Sequence, residues 1–211
     1  MNNKTTLFST RNLTTIAILA SISAVLFLLE IPVVLFYKLD LSNVPIMLGT
    51  FSMGIIPGIF ILLIKSLLGL LHSTSGGVGE LADFLIGLSM IVPAGFFYTY
   101  RKTRSGAILG MIIGGIAATI VGLLVNLYIM LPFYTMVIGM PMESIISMGQ
   151  SIFPFINNSL DFVLFITFPF NLLKAVVICI IAGFIYKPLS PLLHGKKSKW
   201  LLQKVSKKLM N

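Results

Sequence analysis

The sequence predicts an all-α integral membrane protein in which six transmembrane helices form one bundle, with both termini in the cytoplasm. Hydrophobic residues make up 57% of the 211 positions, charged residues only 10%, and the mean hydropathy is +1.02. Soluble domains do not combine these values. Several apolar runs are about 20 residues long, enough for a helix to cross a hydrocarbon layer about 30 Å thick. We predict a single transmembrane domain over 1–211, with its core at 12–187.

Basic residues are clustered along the chain, and the clusters indicate the topology. Fifteen Lys and Arg against six acids give a net charge of +9. Most of the basic residues gather before the first apolar run, in the segment RKTR at 101–104, and from Lys187 to Lys208. Basic loops are retained in the cytoplasm, so all three clusters belong on that side of the membrane. This distribution accounts for the positive charge without a nucleic-acid partner.

Six helices follow when the apolar run after the first loop is divided in two. The residues GIIPG at 54–58 interrupt a run that is too long for one straight span. Two crossings rather than one keep RKTR in the cytoplasm. The second helix is then too short to span the bilayer alone, and the fifth is expected to stop before Pro132. The predicted helices cover 13–36, 44–53, 57–71, 81–100, 106–131 and 160–186.

Three outer connections and a basic tail complete the predicted organisation. A loop covers 37–43, and a flexible Gly- and Ser-rich loop covers 72–80. The Met-rich connection at 132–159 is too apolar for a solvated loop, so we expect it to fold against the mouth of the bundle. The tail at 188–211 is either an amphipathic helix on anionic lipid or a disordered solvated segment. Its apolar positions are Trp200, Leu201, Val205 and Leu209.

Two lysines inside apolar helices are the first candidates for function. An unpaired ammonium at the helix centre costs about 2.5–3.5 kcal/mol on insertion scales, so Lys65 and Lys174 need partners or a polar cavity. One explanation is structural, with the lysines paired to Asp83, Asp161 or Glu30. The other explanation is a binding cavity in the membrane.

A ladder of small residues at every fourth position of the fifth helix ends in an asparagine. The ladder consists of Gly106, Gly110, Gly114, Ala118 and Gly122. Small residues at this spacing let a second helix approach closely. Packing does not explain Asn126, which continues the stripe, or Tyr128 and Tyr134 beyond it. In the sixth helix, Asn171 and Lys174 are three residues apart and therefore share a face.

Together these side chains predict an outward-facing polar pocket with apolar walls, which is the usual form of a small-molecule site. The asparagine amides have paired donor and acceptor edges that suit a flat heterocycle. The lysines would meet an electron-rich oxygen, and Tyr128 and Tyr134 would stack on a ring. The predicted ligand is therefore a planar, polar-edged small molecule.

The sequence predicts neither a catalytic site nor a metal site. It has no Walker A motif, and His72 and His194 have no partner at metal-ligand spacing. GGVGE at 76–80 lacks the strand and helix context of a dinucleotide site. HSTS at 72–75 lacks the third group that orients a catalytic base. We therefore expect no enzyme activity, no metal and no bound cofactor.

Five segments in order carry a family resemblance: LDLSNVPIMLGTFSMGIIPGI, LIKSLLGLL, ADFLIGLS, LLVNLYIMLPFY and FPFNLLKAVVICII. Over residues 12–187 the chain resembles the riboflavin-specific S component, the substrate-binding subunit, of energy-coupling factor (ECF) vitamin transporters. The resemblance implies that Asn126, Asn171 and Lys174 bind the flavin ring, with Lys65 and Asp40 as further contacts. Riboflavin is then the transported substrate rather than a cofactor.

The resemblance also implies a partner module with one transmembrane coupling subunit and two ATPases, in the plasma membrane of a bacterium. The first helix of this family presents small residues to the coupling subunit. Here Ala17, Ala20, Ser21 and Ala24 supply such a face, and Ala20 and Ala24 form an A-x-x-x-A pair. One departure is Gly69, which stands where relatives often have an amide side chain.

The function hypothesis is capture of riboflavin from outside and its delivery inward by the ATP-driven module, without chemistry on the vitamin. One alternative is an S component for another vitamin, although a pocket that stacks a ring on indole is excluded because the only tryptophan is Trp200. A second alternative is an ion-coupled secondary transporter, for which the sequence offers no convincing inverted repeat. A lipid-modifying enzyme would need a nucleophile, metal cluster or carboxylate pair.

Overall fold

The computed structural model describes residues 9–73 and 75–193, with side chains as far as residue 186, and this part of the chain is mainly helical. Two strands form a hairpin, β1 (Ile31–Val34) and β2 (Tyr37–Leu39). The helices are α1 (Thr10–Leu28), α2 (Asn43–Met53), α3 (Ile55–Gly69), α4 (Val78–Tyr100), α5 (Arg104–Val125), α6 (Leu131–Met136), α7 (Met142–Gln150), α8 (Ser159–Phe162) and α9 (Phe168–Leu193). A 3₁₀ turn (Leu70–His72) extends α3, and π-helical turns at Asn126–Met130 and Val163–Thr167 join α5 to α6 and α8 to α9.

Five helices in the described part of the chain are long and apolar enough to cross a membrane. They are Thr10–Leu28, Ile55–His72, Val78–Tyr100, Arg104–Met136 and Ser159–Tyr186. These spans agree with the predicted multi-pass membrane protein. The remaining predicted span, α2, has 11 residues. At 1.5 Å per residue it reaches about 16 Å, roughly half of the hydrocarbon thickness.

Helix α2 is short because it lies inside the bundle. Nine of its 11 residues are buried, and it packs against α1, α3, α4 and α9. The turn into α3 is made by Gly54, whose φ of 107° is favourable only for glycine. Gly58 then faces α2 so closely that an added Cβ would lie 2.0 Å from Oγ1 of Thr50. The predicted break at 54–58 is therefore present. It separates the short, buried α2 from α3.

The first predicted helix, 13–36, is wrong over its last third. Helix α1 ends at Leu28, and an antiparallel hairpin follows in which Ile31 is paired with Leu39. Pro32 has no N–H to donate and fits the start of an edge strand better than a helix interior. The two valines after it also favour extended backbone. Apolar composition alone cannot separate this hairpin from a continued span.

The predicted stop before Pro132 is also wrong, because the helix runs on to Met136. The N–H of Leu131 donates to the carbonyl of Asn126, five residues back, and so forms a π turn. This wider turn changes the register just before proline, which cannot donate. A second π turn directly precedes Phe168 and Pro169 in the last long helix.

The long Met-rich connection folds against the bundle, as predicted. It contains α7, whose Ile145 is buried with Ile156 and Phe162 in an apolar cluster at the hairpin end of the bundle. At the other end, α9 continues to Leu193. The remainder of the predicted basic tail lies outside the described residues.

The ladder of small residues in α5 serves two neighbouring helices. An added Cβ at Gly110 would lie 2.6 Å from the carbonyl oxygen of Ala94, and one at Gly114 would lie 2.3 Å from that of Met90, so both glycines let α4 approach closely. At the other end of the ladder, a Cβ at Gly122 would lie 2.8 Å from the amide of Asn171 in α9. The predicted close packing is confirmed, and its last step brings a predicted site residue into place.

We predict that Gly114→Ala destabilises the protein by about 1–3 kcal/mol, because its methyl group would overlap the α4 backbone, which cannot move aside. The control is Gly115→Ala, whose Cβ would meet its nearest atoms at an ordinary 3.5 Å. Thermal unfolding of both variants in detergent measures the difference. Equal unfolding temperatures for the two variants would contradict this account of the α4–α5 contact.

Candidate substrate-binding site

Four charged side chains form one ion-pair network that connects the end of the hairpin with α3, α4 and α9. Asp40 and Lys65 are buried, and the side chains of Asp83 and Lys174 are each 14% exposed. Nζ of Lys174 lies 2.7 Å from Oδ2 of Asp40 and 3.3 Å from Oδ1 of Asp83. Lys65, whose side chain is fully buried, donates to the second carboxylate oxygen of Asp83. The ammonium of Lys65 also lies 4.2 Å from the ring centroid of Phe27, a cation–π contact. The two lysines and two aspartates balance to zero charge.

The network extends to α1 through a serine. Asp40 accepts hydrogen bonds from the backbone N–H of Ser42, at 2.9 Å, and from the Ser42 hydroxyl. The carbonyl of Ser42 accepts a hydrogen bond from the hydroxyl of Ser23 at 2.6 Å. Asp40 is therefore held from both sides, which fixes the segment between the hairpin and α2.

The structural explanation for the buried lysines is correct for one of its three predicted partners. Asp83 pairs with both lysines. Glu30 instead pairs with Lys38 on the hairpin, where both side chains are partly exposed. Asp161 accepts a hydrogen bond from the backbone N–H of Asn157 near the start of α8. The further partner, Asp40, was predicted only as a ligand contact.

A second polar group forms around the two π turns. Nδ2 of Asn126 donates to the carbonyl of Gly122 at 2.7 Å, and Oδ1 accepts from the Tyr37 hydroxyl at 3.0 Å. The Tyr37 hydroxyl also lies 2.6 Å from Oγ1 of Thr167. The backbone carbonyl of Thr167 accepts a hydrogen bond from Nδ2 of Asn171 at 3.0 Å. Burial raises the pKa of Tyr37, so its hydroxyl stays protonated and can donate to Asn126.

Both polar groups border one cavity of about 290 Å³ at the hairpin end. This volume is near the lower end of the range for small-molecule sites, about 300–1,000 Å³. Asn126, Lys174 and Asp40, three of the predicted site residues, line it together. Its aromatic wall includes Tyr37 and Phe170, whose rings stack with centroids 4.9 Å apart. The cavity thus combines amide, ammonium and carboxylate groups with flat apolar surfaces.

Three of the six predicted substrate-binding residues lie outside the wall of this cavity. Asn171 and Lys65 are buried, and their polar groups bond within the protein. Tyr128 is 70% exposed on the outer surface of the bundle. It follows Asn126 by two positions, about 200° around a helix, so it faces away from the cavity.

The predicted partner face on α1 is only partly exposed. Ala20 is 1% exposed and packs in the core, whereas Ala17 and Ser21 are exposed and Ala24 is half-buried.

Sequence reasoning missed several polar residues that line the cavity, among them Tyr37 and Glu80. Tyr37 was assigned to a plain loop, because the hairpin that turns its ring inward was not recognised. Glu80 was noted only as part of a flexible loop, although it is an acid at the start of an apolar helix. An isolated carboxylate beside a membrane span is the signal that could have identified it.

Comparison with known proteins decides the family. Residues 11–186 match the family described as "ECF transporter, substrate-specific component". The chain belongs to this family. As an S component it is part of a transporter, and the family is not one of enzymes.

Individual relatives agree with this assignment. The S component is 31% identical over 183 residues to "Riboflavin transporter RibU" of Staphylococcus aureus, which covers 85% of this chain and 90% of that protein. It is 27% identical over 194 residues to "Riboflavin transporter FmnP" of Bacillus subtilis, covering 89% and 96%.

Two solved structures have the same fold. One is an S component of a bacterial ECF transporter, with a TM-score of 0.68, 31% identity, and coverage of 87% of this chain and 97% of that chain. The other is ThiT from Listeria monocytogenes, with a TM-score of 0.61 and 18% identity, covering 86% and 96%. The second likeness concerns the fold alone.

We predict that Asp83→Asn destabilises this S component by about 3–5 kcal/mol, because it leaves the ammonium of Lys65 buried without a counter-charge. The matched control is Glu30→Gln, which breaks a partly exposed Lys–Glu pair and should cost at most about 1 kcal/mol. Unfolding in detergent, monitored by circular dichroism, measures both variants. Similar small losses for the two would show that the buried network does not depend on Asp83.

Proposed function

We propose that this chain is the riboflavin-binding subunit of an ECF-type uptake transporter in a bacterial plasma membrane. It captures riboflavin from outside and delivers it inward together with a module of one coupling membrane protein and two ATPases. The chain performs no chemistry on the vitamin and needs no cofactor. The observation that carries the proposal is the cavity in which Asn126 and Lys174 meet between aromatic walls. The relatives from Staphylococcus aureus and Bacillus subtilis, both riboflavin transporters by name, support the same substrate.

The groups in the cavity suit the polar edge of an isoalloxazine ring. That edge presents an imide N–H between two carbonyl oxygens, so it needs an acceptor and nearby donors. Oδ1 of Asn126 is an acceptor. An ammonium group has three N–H donors, and Lys174 uses two of them on Asp40 and Asp83, which leaves one for a flavin carbonyl. Phe170 and Tyr134 provide aromatic surface for the fused rings.

We further propose that riboflavin takes the place of the Tyr37 side chain. Tyr37 stacks on Phe170 and donates to Asn126, which are the two interactions expected of the flavin ring. Displacement of Tyr37 would also free Thr167, one helical turn from Asn171 on the same face of the last helix. With the Tyr37 ring displaced, Asn171 would reach the flavin with the part of its amide that does not bond the Thr167 carbonyl, while Lys65 would act by holding Asp83. Tyr37 lies on the hairpin, which therefore acts as one of the gates.

The proposed topology has six membrane segments with both termini in the cytoplasm, and one domain over residues 1–211. Helix α2 counts as the second segment although it is short, because its neighbours shield it from lipid. With RKTR inside, the hairpin, the 73–77 loop and the connection that contains α7 all lie outside. These are the segments around the cavity, so the site opens toward the medium.

For the coupling subunit we propose a contact on the exposed small-residue face of α1, made of Ala17, Ser21 and Ala24. Ala20 is left out because it is buried in the core. Small side chains at this spacing let a partner helix approach closely in the membrane. The Ser21 hydroxyl is already bonded to the carbonyl of Ala17 at 2.9 Å, so the face presents no unpaired polar group to a partner.

We predict that the purified protein quenches riboflavin fluorescence with one-to-one stoichiometry, and that Asn126→Ala weakens binding roughly tenfold or more through loss of a buried hydrogen bond. The control is Tyr128→Ala, which changes an exposed side chain near the same turn and should leave affinity within about twofold. Fluorescence titration in detergent measures all three proteins. A wild-type protein that binds no riboflavin would overturn the proposed substrate and leave the family assignment intact.

We predict that Ser21→Trp prevents copurification with the coupling subunit and ATPases while riboflavin affinity stays unchanged, because a large side chain separates the helices. Ile120→Trp is the control, since Ile120 is also exposed, at 53%, but lies on α5. Co-expression with the module and affinity purification measures association. Loss of association in both variants, or in neither, would contradict the assignment of this face.

A further inference from the structure

Glu80 is a buried carboxylate in the cavity that has no counter-charge. It lies in the first turn of α4, is 8% exposed and lines the cavity. Three other acids near the cavity each pair with a lysine: Glu30 with Lys38, Asp40 with Lys174, and Asp83 with both Lys65 and Lys174. Within the described ranges, 9–73 and 75–193, Glu80 forms no ion pair. A buried acid of this kind requires hydrogen-bond donors.

The donors that it has are alcohols on the loop before α4. Oε2 of Glu80 accepts from the hydroxyl of Ser73 at 2.7 Å and from that of Ser75 at 3.3 Å. Each hydroxyl oxygen in turn accepts a backbone N–H, from Gly77 at 2.8 Å and Gly79 at 2.9 Å, which directs its proton toward the carboxylate. Glu80 is thus held in place by hydroxyl groups.

The second carboxylate oxygen remains available. Oε1 of Glu80 accepts no hydrogen bond from any residue that the structure describes. This oxygen is also not fully enclosed by protein atoms. Space beside it is kept open by Gly69 on α3. A Cβ at Gly69 would lie 3.4 Å from Cγ of Glu80 and 2.8 Å from the ring of Phe27. An acceptor with room next to it therefore faces the cavity shared with Asn126 and Lys174.

We propose that Glu80 binds the hydroxyl groups of the substrate's polyol chain and disfavours a chain that ends in phosphate. This inference rests on the proposed riboflavin function and assigns the ribityl part of the ligand, which the asparagine and lysine contacts leave unassigned. An ionised carboxylate only accepts hydrogen bonds, so it fits alcohol O–H groups in the way that it already binds two serines. It repels a phosphate monoester, since like charges interact strongly in a partly buried site.

Three flavins separate this role from a general effect on binding. Riboflavin has the ring and the polyol chain, lumiflavin has the ring with a methyl group in place of the chain, and flavin mononucleotide has the chain with a terminal phosphate. Affinities are measured by fluorescence quenching with the purified full-length protein in detergent. The variants are Glu80→Ala and Glu80→Gln, and the matched control is Glu143→Gln, an acid that is exposed at the start of α7.

Glu80→Ala should weaken riboflavin binding roughly 10- to 100-fold, the range expected for a hydrogen bond to a charged group, and leave lumiflavin affinity within about twofold. Retained lumiflavin binding also shows that the variant is folded. Glu80→Gln should lower the preference for riboflavin over flavin mononucleotide at least about fivefold, because the repulsive charge is gone. Glu143→Gln should change neither affinity nor preference.

Three results would overturn the inference. Equal losses for riboflavin and lumiflavin in Glu80→Ala would mean that Glu80 acts on the ring or on the fold. Unchanged riboflavin affinity in both variants would mean that Glu80 does not contact the chain. A wild-type protein that binds none of the three flavins would instead overturn the proposed function, and this inference with it.

Discussion

The pairing of two lysines with two aspartates inside the bundle is the constraint on which the rest of the structure depends. An ammonium or carboxylate that is left alone in this environment is costly, so the four groups must assemble together or not be buried at all. They come from the end of the hairpin, α3, α4 and α9, which are far apart in sequence. Their assembly therefore fixes the relative positions of these elements, and the Ser42–Ser23 hydrogen bond adds α1.

The same network contributes to the wall of the cavity, so stability and the proposed binding of riboflavin depend on shared groups. Lys174 is oriented by Asp40 and Asp83, and in the proposed function this orientation would prepare it for a ligand oxygen. Preorganisation of this kind lowers the cost of binding, because the lysine side chain loses little further freedom. It also means that Lys174 cannot be removed without leaving Asp40 unpaired. The charges are required by the fold, and the proposed binding site uses groups that the fold already requires.

Two prolines set the geometry of the second polar group. Each follows a π turn, and the wide turns lie beside Asn126 and Thr167, the two residues that Tyr37 bridges. The side-chain amide of Asn126 donates to the carbonyl of Gly122, which also accepts the backbone N–H of Asn126. Gly122 in turn leaves room for the amide of Asn171. The last glycine of the small-residue ladder therefore lies next to the second polar group. Packing and recognition are therefore linked along α5 and α9.

The sequence by itself determined the membrane class, most of the helices, the break at Gly54 and the candidate residues Asn126, Lys174 and Asp40. Hydropathy, glycine spacing and isolated charges are local signals, and they report burial in lipid directly. Only the tertiary structure decided that 31–39 is a hairpin, that α2 is enclosed, that Ala20 faces inward and that Lys174 pairs with Asp40. These outcomes depend on contacts between distant segments. The residues next to a buried charge in the sequence do not indicate which distant residue it will pair with.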